Sequence, residues 1–90
     1  MTTIQLFSTA GCHLCEQAEA LALPLLESRQ WQLELVDISV DAALVERYGI
    51  RIPVLGAHDS AGRWQELGWP FDQAQIGSWL GQINLMCQGS

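Results

Sequence analysis

Two cysteines three residues apart, Cys12 and Cys15 in the stretch TAGCHLCEQAEA (9–20), are the residues of this chain with the clearest chemistry. A Cys-x-x-Cys step lets two sulfurs close a small ring. One thiolate can attack a disulfide, and the other can resolve the mixed disulfide that results. The same residue types serve other ends. Zinc takes about four ligands, and the remaining candidates here, Cys87, His13 and His58, are scattered and without ligand spacing. An iron–sulfur cluster shared between two chains would draw its missing thiolates from a partner. Two small, inert, buried cysteines are the plain alternative. Cys87 stands alone beside Met86 near the C-terminus. It reads as a packing residue or bystander thiol, with a third redox partner as the alternative.

The elements that carry the pair help to decide among these uses. Residues 3–7 (TIQLF) alternate and predict a strand, and 8–11 (STAG) suit a strand-to-helix loop. From Cys12 or His13 to about Arg29, Leu14, Ala18, Leu21, Ala22, Leu25 and Leu26 fall on one helical face. Pro24 inside this pattern predicts a kink or an end. Glu16 and Glu19 lie in the early turns, where negative charge suits the helix dipole. Cys12 is thereby expected at the N-cap or first turn, with Cys15 one turn further in. The partial positive charge and free N–H groups of a helix start favour a thiolate at Cys12 over one at Cys15. Such positions lower a cysteine pKa below its free value of about 8.5. No Lys or Arg lies near the pair in sequence. His13, if protonated, adds positive charge; otherwise it is an exposed residue of the first turn.

Residues 31–38 form a nearly continuous apolar run, which predicts a strand covered on both faces. Asp41 is placed to cap a short helix over 42–48, with Gly49 as its stop. Residues 50–55 (IRIPVL) read as a third strand interrupted by Pro53, 56–62 (GAHDSAG) as a turn, and 63–67 as a fourth strand closing a hairpin. Residues 68–71 (GWPF) break the chain. Asp72 then opens a last helix, with Gln75 completing a capping box and Ile76, Trp79, Leu80 and Ile83 as its buried stripe. Trp31, Trp64 and Trp79 read as packing residues. The order is βαβαββα: an α/β fold with a four-stranded mixed sheet and helices on both faces. Its first two strands should be parallel with a right-handed crossover. No repeat or linker divides the chain, so residues 1–90 are read as one domain.

Charge and composition exclude several function classes. The net charge is −6, and the four cations are all arginines, Arg29, Arg47, Arg51 and Arg63. A lysine-free, acidic chain is a poor binder of phosphate backbones, so nucleic acid is not an expected partner. No apolar run reaches about 18 residues, and no membrane association is expected. The start, MTTIQLF, lacks the basic leader of a signal peptide. The expected compartment is the cytoplasm, where stable structural disulfides are rare. Three cysteines also fit poorly with a disulfide scaffold. The protein is expected to be a monomer.

With CHLC opening the first helix, IRIPVL carrying its proline, a Gly break before the last helix and the order βαβαββα, the chain resembles the thioredoxin superfamily. Within it, S-T-x-G-C-x-L-C-E and Y-G-I-R-I-P-V-L resemble the short glutaredoxin-like domains found largely in bacteria, many of them of unknown function. The resemblance covers nearly the whole chain. It implies a small thiol–disulfide oxidoreductase serving cell redox homeostasis, with Cys12 as nucleophile and Cys15 as resolving cysteine. It implies that Pro53 is the superfamily's cis-proline, a geometry that costs little only at proline. It further implies that Ile52 offers its backbone to an extended substrate segment, a form of strand addition.

Gly68, Trp69 and Asp72 match in part the stretch that holds glutathione in relatives. Asp72 would bind the glutathione amine there, or simply cap the helix. Trp69 would grip a partner or pack the core edge, and Arg51, beside the proline, would meet a carboxylate or face solvent. Other positions depart from the family pattern. Gly11 stands where thioredoxins carry Trp, His13-Leu14 where dithiol glutaredoxins have Pro-Tyr, and Thr9-Ala10 where a basic residue holds glutathione. No resident cofactor is expected. The expected substrate is a protein disulfide or a glutathione mixed disulfide, and glutathione as co-substrate stays open. A redox-sensing or protein-binding module without turnover, and a metal or iron–sulfur carrier, are the alternative functions.

Overall fold

The computed structural model describes residues 2–83; Met86 and Cys87 lie outside the described residues. The elements run β1 (Thr3–Ser8), α1 (His13–Ser28), β2 (Gln32–Asp37), a 3-10 turn (Ile38–Val40), α2 (Ala42–Tyr48), β3 (Val54–His58), β4 (Trp64–Gly68) and α3 (Gln73–Ile83). The four strands form one sheet in the order β2-β1-β3-β4. β1 pairs parallel with β2, and β3 runs antiparallel to both β1 and β4. This is the mixed α/β sheet that the sequence predicts.

Side-chain alternation divides the core between the two faces of the sheet. Ile4, Leu6, Leu55 and Ala57 point to one face. They are buried against Ala18, Ala22 and Leu26 of α1 and Ile76, Trp79, Leu80 and Ile83 of α3. Phe7 and Val54 point to the other face and pack with Ile38 and with Tyr48 of α2. Fully burying one such aliphatic side chain contributes about 1.5–3 kcal/mol. Phe7 and Tyr48 stack with ring centroids 4.2 Å apart, which ties α2 to β1. No helix among the described residues is long and apolar enough to cross a membrane.

Several local expectations change. β2 is not covered on both faces: it lies at the edge of the sheet and none of its residues is fully buried. Its Leu35 shares a face with Leu6 but stays 55% exposed, because the space beside it is open. Leu14, expected on the buried face of α1, is exposed, and Leu21 and Leu25 are only half-buried. Helix α1 does not end at Pro24 but continues to Ser28. Pro24 and Ala20 lie on its exposed side, so water can reach the carbonyl that Pro24 cannot bond. The helix closes in a Schellman motif: Trp31 N–H donates to Leu26 O and Gln30 N–H to Glu27 O, with Gln30 at φ 60° in the position usually given to glycine.

The third strand begins at Val54 rather than at residue 50. The N–H groups of Arg51 and Ile52 both donate to Tyr48 O, at 2.8 and 3.1 Å, which holds 49–52 as a turn off the end of α2. Gly49 ends α2 as expected, but in a right-handed conformation (φ −52°). The strand also runs on through Gly56 to His58. Gly56 has to be glycine, since a Cβ there would lie 2.7 Å from Trp64 Cη2 and 3.0 Å from Phe7 Cε2. The hairpin turn accordingly moves to 59–63, where one oxygen of Asp59 accepts from the N–H groups of Ala61 and Arg63, both at 2.9 Å. These bonds to the charged form hold the Asp59 carboxyl below its ordinary value. The fourth strand correspondingly spans Trp64–Gly68.

Candidate redox site

The sheet register gathers the sequence-predicted residues at one end. Ser8, the last residue of β1, faces Asp37 at the end of β2, and Phe7 faces Val54, the first residue of β3. Val54 in turn faces Gly68, the last residue of β4. The loop to Cys12, the Ile52-Pro53 step and the Gly68-Trp69 corner therefore leave the sheet at the same edge. Trp69 N–H donates to Pro53 O at 3.1 Å, which fastens that corner to the proline segment. The Ile52–Pro53 peptide bond is cis, and so is Trp69–Pro70. Nothing in the sequence reading singled out the second of these. Trp69 packs edge-to-face on the buried Phe71 and is itself half-buried.

Cys12 is the N-cap of α1, with extended backbone (φ −86°, ψ 103°). Its sulfur accepts the N–H of Cys15 at 3.1 Å, satisfying one of the donors that a helix start leaves free. Cys12 and Cys15 are joined by a disulfide, Cα atoms 5.2 Å apart. The two sulfurs are not equivalent: Cys15 is 5% exposed and belongs to the core, whereas Cys12 reaches solvent. Gly11, at φ 78°, turns the chain into the helix in a conformation that favours glycine. Cys12 and Cys15 line a cavity of about 220 Å³ together with Ser8, Thr9, Ala10, Glu16, Glu19 and Leu35 among others. Sequence reasoning did not find this cavity; the signal available was Leu35, an apolar residue in a strand taken to be covered.

The other candidate residues have commitments of their own. His13 is exposed, its Nδ1 3.4 Å from Glu16. Asp72 caps α3 in a full capping box: its carboxylate accepts from Gln75 N–H at 2.8 Å, while its own N–H donates to Gln75 Oε1 at 2.9 Å. Asp72→Ala is expected to lower stability by about 1 kcal/mol through loss of this cap, as thermal melts will tell. Arg51 does not face open solvent alone. It donates to Glu66 Oε1 at 3.1 Å and lies over the Tyr48 ring at 5.5 Å.

Glu66, on β4, is a hub of side-chain contacts that the sequence did not flag. Its other oxygen accepts from Tyr48 Oη at 2.5 Å and Trp64 Nε1 at 2.8 Å, with Arg47 at 3.6 Å. Burial pushes the Glu66 carboxyl up, but the bonds from Trp64, Tyr48 and Arg51 outweigh it and hold the group below its ordinary value. Burial, then the same bond to Glu66, pushes the Tyr48 hydroxyl up. The cluster ties α2, β4 and the turn leading into Pro53 together. Among the described residues, no three His, Cys, Asp or Glu side chains converge as a metal site would require.

Comparison with known proteins agrees with this geometry. A structural-genomics target protein, XcR50 from X. campestris, is 45% identical, covering 86% of this chain and 93% of its own, with a TM-score of 0.65. A mutant thioredoxin from Halobacterium salinarum NRC-1 is 21% identical over 91% of this chain and 74% of its own, with a TM-score of 0.68, and speaks for the fold alone. No curated protein matches. The family described as "Glutaredoxin-like domain (DUF836)" matches residues 3–81. A disulfide-bonded Cys12–Cys15 pair on a thioredoxin-like fold supports a redox role, and the chain belongs to the glutaredoxin-like domain family.

Proposed function

We propose that the protein is a thiol–disulfide oxidoreductase in which Cys12 is the nucleophile and Cys15 the resolving thiol. The observation that carries this reading is their asymmetry: a solvent-reaching Cys12 at the helix N-cap, bonded to the Cys15 N–H, and a buried Cys15. In the reduced protein the Cys12 thiolate attacks one sulfur of a substrate disulfide. A Cys12–substrate mixed disulfide forms, and the first substrate thiolate leaves. Cys15, deprotonated as it reacts, attacks the Cys12 sulfur. The Cys12–Cys15 disulfide forms, and the second substrate thiolate leaves. Substrate has gained two electrons and the pair has lost two, to be restored by an external thiol or dithiol. The helix start and the Cys15 N–H both favour negative charge on Cys12, whether it attacks or is the leaving sulfur. Ile52, Pro53, Gly68 and Trp69 share the Cys12 end of the sheet and are the candidates to hold an extended substrate backbone.

The cytoplasm is the proposed working compartment. A redox titration of the domain in glutathione or dithiol buffers, read by mass after alkylation, tests the reading. A reversible two-electron transition between about −220 and −320 mV is expected of a working cytosolic exchange pair. A pair that stays fully oxidised or fully reduced throughout that window contradicts it.

A further inference from the structure

Resting on the oxidoreductase reading, we infer that the cavity beside the disulfide is a specificity pocket for a Lys or Arg side chain next to the cysteine of a protein disulfide. Three observations meet there. Cys12 and Cys15 both line the cavity, so anything that fills it sits beside the exchanging pair. Glu16 and Glu19, one turn apart on α1, line it, and no cationic side chain among the described residues does. Leu35 supplies an apolar wall that is 55% exposed, although it lies on the core face of the sheet.

A negatively charged rim with an apolar wall matches a long aliphatic stem ending in a cation: the stem packs on Leu35 and the head reaches the carboxylates. Among the described residues those carboxylates have little to neutralise them. Glu16 has His13, 3.4 Å away and almost wholly exposed. The arginines are held elsewhere: Arg47 and Arg51 at Glu66, Arg29 at the far end of α1 over Trp31, and Arg63 at the β3–β4 hairpin. Oxidised glutathione, with four carboxylates against two ammonium groups, meets the same field as a repulsion. The pocket therefore selects cationic protein disulfides over glutathione, through encounter rate and local concentration.

The test uses the reduced full chain and three synthetic peptide disulfides identical but for Arg, Gln or Glu beside the cysteine, with oxidised glutathione as a fourth substrate. At low ionic strength the Arg peptide is expected to react about tenfold faster than the Glu peptide. At about 1 M salt, where charges are screened within about 3 Å, the ratio is expected to fall close to one. Glu16→Gln with Glu19→Gln is expected to collapse the low-salt ratio in the same way. The ratio is the readout, so a variant that is merely less stable does not mimic the effect. Equal rates at low salt, a preference for the Glu peptide or glutathione, or a ratio unmoved by the double variant would overturn the pocket while leaving the oxidoreductase intact. No exchange with any of the four substrates overturns both.

Discussion

The Cys12→Ser variant is expected to lose disulfide exchange altogether, a fall on the order of a thousandfold or more, with the fold unchanged. The hydroxyl does not ionise at neutral pH and cannot form a mixed disulfide. It does keep an oxygen able to accept the Cys15 N–H at the N-cap, and serine is a preferred residue there. The helix start therefore survives, and the loss belongs to chemistry rather than to folding. Turnover with a model disulfide, measured beside a thermal melt, separates the two. Full activity in this variant would remove Cys12 from the mechanism.

Glu66→Ala is expected to destabilise the protein by about 2–3 kcal/mol although Glu66 lies outside the hydrophobic core. Tyr48 Oη and Trp64 Nε1 lose a charged acceptor in a half-buried setting, and both must find water or go unpaired. Arg47 and Arg51 contribute less, because they are about half exposed and solvent screens them. For a domain of this size the melting temperature should fall on the order of 10 °C. The milder Glu66→Gln isolates the charge. The Glu66 carboxyl sits below its ordinary value of 4.5 in the fold, so its charge stabilises the protein above that pH. That contribution is lost as pH falls through the lower native value. The stability gap between the natural protein and Glu66→Gln should therefore be full at neutral pH and close in acid. A gap independent of pH would mean that the shape of the side chain, not its charge, is what matters. Because the cluster anchors the turn into Pro53, either change should also slow exchange with peptide disulfides more than with a small disulfide that needs no strand contact.

The architecture was legible because each element carried its own punctuation. Asp41 and Asp72 cap the helices they were expected to cap, and alternation in TIQLF set the core side of β1. What misled was information carried by tertiary partners. The apolar run of β2 reads as a strand covered on both faces, yet none of its residues is fully buried, and Leu35 faces a cavity instead of a neighbour. Gly56 reads as a turn residue, but it is glycine because the Trp64 ring lies over it within the strand. The cysteine pair and the cis geometry at Pro53 sit at one end of the sheet, as their spacing along βαβαββα requires. Glu66 was invisible for a physical reason: a lone acid in WQEL gives no sign that three donors from 48, 51 and 64 converge on it.

The central claim is the division of labour within the pair, and trapping tests it most directly. The Cys15→Ser protein, reduced and mixed with an excess of a peptide disulfide, should accumulate one covalent adduct, mapped by peptide mass to Cys12 and released by an added thiol. The natural protein under the same conditions should pass through that adduct to the Cys12–Cys15 disulfide. An adduct at another cysteine, or none at Cys12 while the natural protein turns over, would contradict the account.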